Sequence, residues 1–244
     1  MSNLVLIPTY NEAENIPGLV NAISSLSTPF DILVIDDNSP DGTASLVKEM
    51  MPSFPNLHIL ERPSKSGLGR AYIAGFDWAL QRDYKYICEM DADFSHDPDD
   101  LVRLWDACEN GGADLAIGSR YISGVNVVNW RMGRVLMSYI ASMYVRIITG
   151  MKIMDTTAGF KCYRRDVLMN INPGHIRLVG YGFQIEMKFT AWKLGYKIVE
   201  VPIIFTDRRA GTSKMSGGIF GEAMWGVLRM KITSIFRKPR RIVT

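Results

Sequence analysis

Apolar residues in this chain come as short runs in the first half and as stripes in the second. Leu4–Ile7, Ile32–Ile35, Leu57–Leu60, Tyr86–Met90 and Leu115–Ile117 are brief, largely apolar stretches and predict buried strands. Between them, Glu12–Leu26, Gly42–Met50, Gly67–Gln81 and Pro98–Glu109 place apolar positions at helical spacing and predict helices with one apolar face. Strand–helix alternation at this interval predicts an α/β fold, a mostly parallel twisted sheet covered by helices on both faces. Ligands of such a sheet bind beyond the carboxyl ends of its strands.

The second half is patterned differently. Arg134–Thr149 reads as a helix with Arg134, Ser138, Ser142 and Arg146 in register at i, i+4, while most remaining positions are apolar. That is unusual for a helix facing water. Phe183–Leu194 reads as a helix and Ile198–Phe205 as a strand, with Pro202 hinting at a sheet edge. Trp225, Leu228, Ile232 and Ile235 form a stripe opposite Arg229, Thr233 and Ser234, with Lys231 intruding on the apolar side, and a basic cluster spans Arg237–Arg241.

The chain's 244 residues, 47% apolar, suit one domain or one domain plus an appendage. No uncharged apolar run reaches the ~18 residues a membrane span needs; Val135–Val145 is flanked by Arg134 and Arg146. No basic region precedes Leu4–Ile7, so no signal peptide is expected. Cys88, Cys108 and Cys162 have no disulfide-framework or zinc spacing and suit a reducing compartment.

Net charge is only +3, yet it is unevenly spread. Leu115–Met154 has no acid and five cations, Arg120, Arg131, Arg134, Arg146 and Lys152. Ala223–Thr244 has no acid and six. Both segments are also rich in Ile, Val, Met, Trp and Tyr, which suits an anionic membrane surface rather than nucleic acid.

Candidate chemistry sits at the strand ends. The first strand runs into Pro8-Thr9-Tyr10-Asn11-Glu12, without the glycines of a dinucleotide site. Gly67-Leu68-Gly69 opens a helix, but Tyr72 stands where a third glycine belongs. The second strand ends in Asp36-Asp37-Asn38-Ser39-Pro40-Asp41-Gly42, where Asp37 can accept hydrogen bonds from a ribose or base and Ser39 and Asp41 suit a turn capping the next helix. The fourth ends in Asp91-Ala92-Asp93-Phe94-Ser95-His96-Asp97; carboxylates at i, i+2 in a turn can face one hard divalent cation bridging them to a diphosphate. A calcium loop would need a glycine at His96 and a glutamate at Val102. Arg120, Arg208 and Lys214 are candidate anion contacts, the last two flanking a small-residue loop. His58, His96 and His175 form no triad or metal spacing and read as structural.

Taken together, the motifs beginning at Pro8, Asp36, Met90 and Phe205 (Phe205-Thr206-Asp207-Arg208 through Lys214) resemble the inverting GT-A glycosyltransferases, and more narrowly the dolichyl- or polyprenyl-phosphate mannose synthases in their short form. The resemblance runs from Leu4 to about Gly218 and implies a GT-A nucleotide-sugar-binding fold over residues 1–218. The two basic, apolar segments themselves read as an interfacial helix near 134–149 and a basic amphipathic membrane-surface tail over 219–244, with an oligomer contact as the other reading. The resemblance implies transfer of mannose from GDP-mannose to a dolichyl or polyprenyl monophosphate, with inversion, by a peripheral enzyme at the cytoplasmic face of a membrane.

By position, the resemblance implies that Pro8, Tyr10, Glu12, Ile35 and Asp37 hold the nucleoside. Asp91, Ala92 and Asp93 lie by the diphosphate and its Mg²⁺ or Mn²⁺. Ser95 stands at the position of a further metal ligand, where this chain departs from the glutamine of a relative, and with Asp91 and Asp93 it makes up the expected metal set. Arg120, Arg208 and Lys214 contact phosphates, and Arg134 and Ser138 grip the acceptor phosphate. Asp93, Arg120 and Arg134 are the expected catalytic residues.

A phosphate acceptor is anionic near neutral pH, its second pKa being ~6, so a dedicated general base is unnecessary. Gln184 and Glu186 can orient sugar hydroxyls or cap their helix, and both readings stay open. The alternatives are a UDP-glucose or UDP-N-acetylglucosamine transferase to the same lipid class, a nucleotidyltransferase, and a non-catalytic membrane adaptor.

Overall fold

A computed structural model describes residues 3–178, 180–207 and 218–236. In the first half each predicted strand and helix forms: β1 (Asn3–Thr9), α1 (Ile16–Ser24), β2 (Asp31–Asp36), α2 (Thr43–Met50), β3 (Leu57–Glu61), α3 (Leu68–Leu80), β4 (Tyr86–Glu89), α4 (Asp100–Glu109) and β5 (Leu115–Ser119). Then follow β6 (Val127–Val128), α5 (Met132–Thr149), β7 (Lys161–Arg164), α6 (Arg165–Ile171), α7 (Tyr181–Lys193), β8 (Ile198–Pro202), β9 (Phe205–Thr206) and α8 (Gly218–Phe236). The first helix starts later than predicted because residues 13–15 form turns ahead of Pro17, whose fixed φ suits a helix's first turn.

Seven strands form one sheet in the order β3-β2-β1-β4-β7-β5-β8. Alternate side chains go to opposite faces, as strand geometry requires. Leu4, Leu6, Leu33 and Ile35 meet α3, α6 and α7 on one side, and Val5, Ile7, Ile32 and Val34 meet α1, α2 and α4 on the other. Every pairing is parallel except those of β7, which runs antiparallel between β4 and β5. This strand escapes an apolar-run criterion because it reads Lys-Cys-Tyr-Arg; its Lys161 is nonetheless fully buried opposite Glu89.

The predicted strand Ile198–Phe205 is two strands. Residues through Pro202 pair with β5 at the sheet's edge, as that proline's missing N–H suggests, and Phe205–Thr206 leaves to pair with β6. That departure carries the chain over the acidic turn, where the Thr206 N–H donates to the Ser95 carbonyl (3.2 Å).

α5 keeps Val145 in the core, with Tyr144 and Ile148 packed beside it, but carries most of its apolar residues on the outside. Ser142 is buried, Arg134, Ser138 and Arg146 are half-buried, and Met132, Leu136, Met137, Ile140, Met143 and Ile147 are exposed, Ile147 at 73%. α8 buries Val227 and Met230 while leaving Trp225 and Ile232 exposed. The intruding Lys231 caps α5, its Nζ donating to the Thr149 carbonyl (2.9 Å). α8 is therefore apolar on two sides, with Trp225 and Ile232 sharing the outer surface with Arg229 and Thr233. The Ile235 side chain and the Arg237–Arg241 cluster lie outside what is described. Among the described residues no helix is long and apolar enough to cross a membrane.

Candidate active site

Three groups converge at the carboxyl ends of β1, β2, β4 and β5. The first is built by the loops after β1 and β2, which are stitched together. Asn11 N–H donates to Ser39 Oγ, Glu12 N–H to Thr43 Oγ1 and Ala13 N–H to Asp41 Oδ2 (3.0–3.1 Å). Asp41 also accepts from Thr43 at the start of α2, the capping role expected of it, and these hydrogen bonds lower its pKa against the opposing effect of burial. Asp36, fully buried, orders the turn by accepting from Thr9 and Ser39.

Asp37 points the other way, to Arg62 Nη1 at 2.6 Å. Burial raises its pKa, and the Arg62 guanidinium opposes that shift. Tyr10 lies under the Lys65 ammonium (4.1 Å), and Glu12 accepts from Asn15 (2.8 Å). Pro8 and Ile35 are partners across β1 and β2. The Ile35 side chain packs in the core rather than toward the strand ends.

The second group is the acidic turn. Asp93 is buried and accepts the Ser95 N–H (3.1 Å), and Phe94 between them adopts φ +57°. A non-glycine residue in that region is uncommon and persists where surroundings over-determine it. Here the Phe94 ring is held against α1 at Gly18. Ala92 and Ser95 are buried, and Asp91 is half-buried. His96 is structural as expected: it stacks on Phe160 (4.7 Å) and accepts the Asp91 N–H at Nδ1 (3.4 Å). Burial pushes its pKa down to about 4, so the imidazole is neutral near pH 7.

The third group is cationic. Arg120, following β5, is buried and makes a bidentate pair with Asp155 (both contacts 2.7 Å) and a bond to Thr157 (2.9 Å). Its charge holds the Asp155 carboxyl below the usual range although burial pushes the other way. Arg134 stacks over Trp130 (4.0 Å) and pairs with Asp207 (2.8 Å). Ser138, one turn on, is turned toward the buried Tyr121. Trp130 and Arg120 both meet Phe205, whose other neighbour is His96. The cations and the acidic turn thus share one wall. Arg208 and Lys214 lie outside the described residues.

Beneath the turn is a buried polar cluster that periodicity did not disclose. Glu89 accepts from Tyr163 (2.9 Å), Gln184 Nε2 (2.7 Å) and Lys161 Nζ (3.0 Å), and Lys161 also donates to Gln184. Burial lowers the Lys161 pKa, opposed by Glu89 and Asp91. Gln184 is therefore a core residue rather than a cap, and Glu186 binds the N–H groups of Arg177 and Leu178 (2.9 and 2.8 Å), holding the preceding loop. Two signals were present. Glu89 interrupts an apolar strand, and Asp155 is the first acid after the acid-free run from Leu115.

No group of three or more His, Cys, Asp or Glu able to hold a metal occurs among the described residues. Asp91, Asp93 and Ser95 nonetheless offer only oxygen donors within one turn at the carboxyl end of β4. That fits Mg²⁺ or Mn²⁺, hard cations that complete their shells with substrate phosphates and water.

A mostly parallel sheet with one antiparallel strand and carboxylates at its ends is the GT-A glycosyltransferase fold. The chain belongs to glycosyl transferase family 2, whose family model matches residues 4–171. It is 47% identical to the polyprenol monophosphomannose synthase of Mycolicibacterium smegmatis, over 98% of this chain and 91% of that protein. It is also 47% identical to the undecaprenyl-phosphate mannosyltransferase of Micrococcus luteus, over 94% and 93%. Among solved structures, glucosyl-3-phosphoglycerate synthase from Mycobacterium tuberculosis, in complex with Mn²⁺, UDP and glucosyl-3-phosphoglycerate, superposes with a TM-score of 0.70 at 18% identity, covering 94% of this chain and 79% of that one. TarS from S. aureus in complex with UDP-GlcNAc gives 0.68 at 20% identity, covering 98% and 67%.

Proposed function

We propose that this protein transfers mannose from GDP-mannose to a polyprenyl or dolichyl monophosphate, with inversion and with Mg²⁺ or Mn²⁺, as a peripheral enzyme at the cytoplasmic face of a membrane. The observation that carries the reading is the shared wall. The acidic turn suited to a cation-bound diphosphate adjoins, through Phe205, Arg120 and, by way of Trp130, Arg134, the arginines suited to a second phosphate. The names of the two 47%-identical relatives supply the sugar and the lipid class.

Asp37, Glu12 and Tyr10 bind the nucleoside, and Asp91 and Asp93 hold the divalent cation, with Ser95 beside them. When bound, that cation offsets charge on the departing diphosphate. Arg134 and Ser138 hold the acceptor phosphate at the foot of α5, and Arg120, oriented by Asp155, supplies positive potential beside it. Arg208 and Lys214 complete the diphosphate's neutralisation. The acceptor oxygen attacks the anomeric carbon directly, being ionised above ~pH 6. Preorganised charge of this kind is the main lever where two anions must meet.

The exposed apolar face of α5, with Arg131, Arg134 and Arg146 and no acid between Leu115 and Met154, lies on the bilayer. Each such side chain gains ~1.5–3 kcal/mol on full removal from water. The cations suit the anionic lipids of a cytoplasmic leaflet. The test is to incubate the protein with polyprenyl phosphate, Mn²⁺ and GDP-mannose, UDP-glucose or UDP-N-acetylglucosamine. Mannose alone should become lipid-linked; transfer only from a UDP-sugar would overturn the donor assignment.

A further inference from the structure

Tyr72 is the residue that breaks the glycine pattern at the start of α3, and it is fully buried. Its ring is clamped on two sides, parallel to Phe183 (6.2 Å, 3°) and stacked with Phe76 (6.3 Å, 25°). α3 can come this close only because Gly69 and Gly75 lack side chains. A Cβ on the first would lie 2.9 Å from Phe183, and on the second 2.5 Å from Ile35. The clamp aims the hydroxyl at the end of β4, where it donates to Asp91 Oδ1 over 3.5 Å. Of the other carboxylates nearby, Glu89 is already supplied by Tyr163, Gln184 and Lys161, and Asp93 accepts the Ser95 N–H.

We propose that Tyr72 is a positioning residue for Asp91, holding that carboxylate oriented for a divalent cation from the floor of the site. Resting on the metal reading above, the inference adds a residue that touches neither sugar nor lipid. A group that orients a metal-binding carboxylate changes metal affinity when removed, typically by 10–100-fold. Apo-state contacts of this sort are commonly long and tighten when the ligand arrives.

The test compares Tyr72→Phe with Phe76→Leu, which loosens the same ring cluster but leaves the hydroxyl in place. Mn²⁺ binding in the presence of GDP is followed by the electron paramagnetic resonance of free Mn²⁺, alongside melting temperature and turnover. Tyr72→Phe should weaken Mn²⁺ about 10-fold or more, raise the metal concentration for half-maximal turnover equally, and leave kcat at saturating Mn²⁺ within about twofold. Phe76→Leu should lower the melting temperature and leave Mn²⁺ affinity unchanged. Equal Mn²⁺ affinity in wild type and Tyr72→Phe, or an equal loss in both variants, overturns the inference. Absence of Mn²⁺ binding by the wild type overturns the metal reading and this inference with it. Normal Mn²⁺ binding without lipid-linked mannose overturns only the transfer reading.

Discussion

Helices α4 and α5 draw on similar apolar residues and lay them on opposite sides. α4 sends Leu101, Leu104 and Cys108 into the core and leaves Arg103, Asp106 and Glu109 in water. α5 sends Ser142, Val145 and the stripe through Arg134, Ser138 and Arg146 inward or to the margin, and leaves seven large apolar side chains outside. The same contrast divides the molecule. The sheet from β1 to β5 with α1 to α4 is an ordinary water-facing α/β half, whose chemistry is concentrated at strand ends. The α5 and α8 side keeps cations beside the site and turns apolar surface outward, as an element does when its surroundings are not water. Under the proposed function, one region handles a water-soluble donor and the other a substrate that is itself part of a membrane.

That division can be broken by mutation. Asp93→Ala should cause the largest loss, at least ~10³-fold in turnover, with vesicle binding unchanged. Residual turnover above a tenth of wild type at saturating metal would place the chemistry elsewhere.

Asp155→Asn tests the seam between the regions, since it leaves Arg120 buried without its counter-charge. Breaking one partner of such a pair costs ~3–5 kcal/mol, or about 10 °C in melting temperature for a chain of this size. Asp155 has a depressed carboxyl pKa in the folded state. Its stabilisation is therefore complete above the unfolded value of 3.8 and is lost as pH falls through the lower folded one. Melting curves from pH 7 downward should show a shallower acid loss in the variant, and an unchanged slope would count against the pairing.

Arg134→Ala should lower turnover with lipid phosphate by ~10² while GDP affinity, measured by calorimetry, stays within twofold. Loss of GDP binding would mean that the two regions share one ligand. The smallest effect belongs to Leu136→Glu with Ile140→Glu. Flotation with anionic vesicles should weaken by ~10-fold, without change in melting temperature or GDP affinity. Unchanged flotation would remove the bilayer from the outer face of α5.

Much of the water-facing half was legible because its signals are local. Apolar runs, turn residues and paired aspartates each occupy a few consecutive positions. Strand β7 was not, because its burial rests on Lys161 meeting Glu89, seventy-two positions apart in the chain. Arg120 was legible as a cation near the site, but Asp155, which orders it, became visible only when two loops thirty-five residues apart were brought together. Gln184 and Glu186 had two readings, and packing chose a third, with one in the core cluster and the other holding the loop before α7.

The amino-acid order by itself determined the alternation of strands and helices, the acidic turn after β4 and the period of the polar stripe on α5. Tertiary structure alone decided which side of that stripe faces the protein, which carboxylates are supplied from within, and that the acidic turn and the arginines meet across Phe205. Periodicity is set by how successive residues project from a backbone. Which face is inside depends on what packs against it, and partners distant in sequence exist only once the chain has folded.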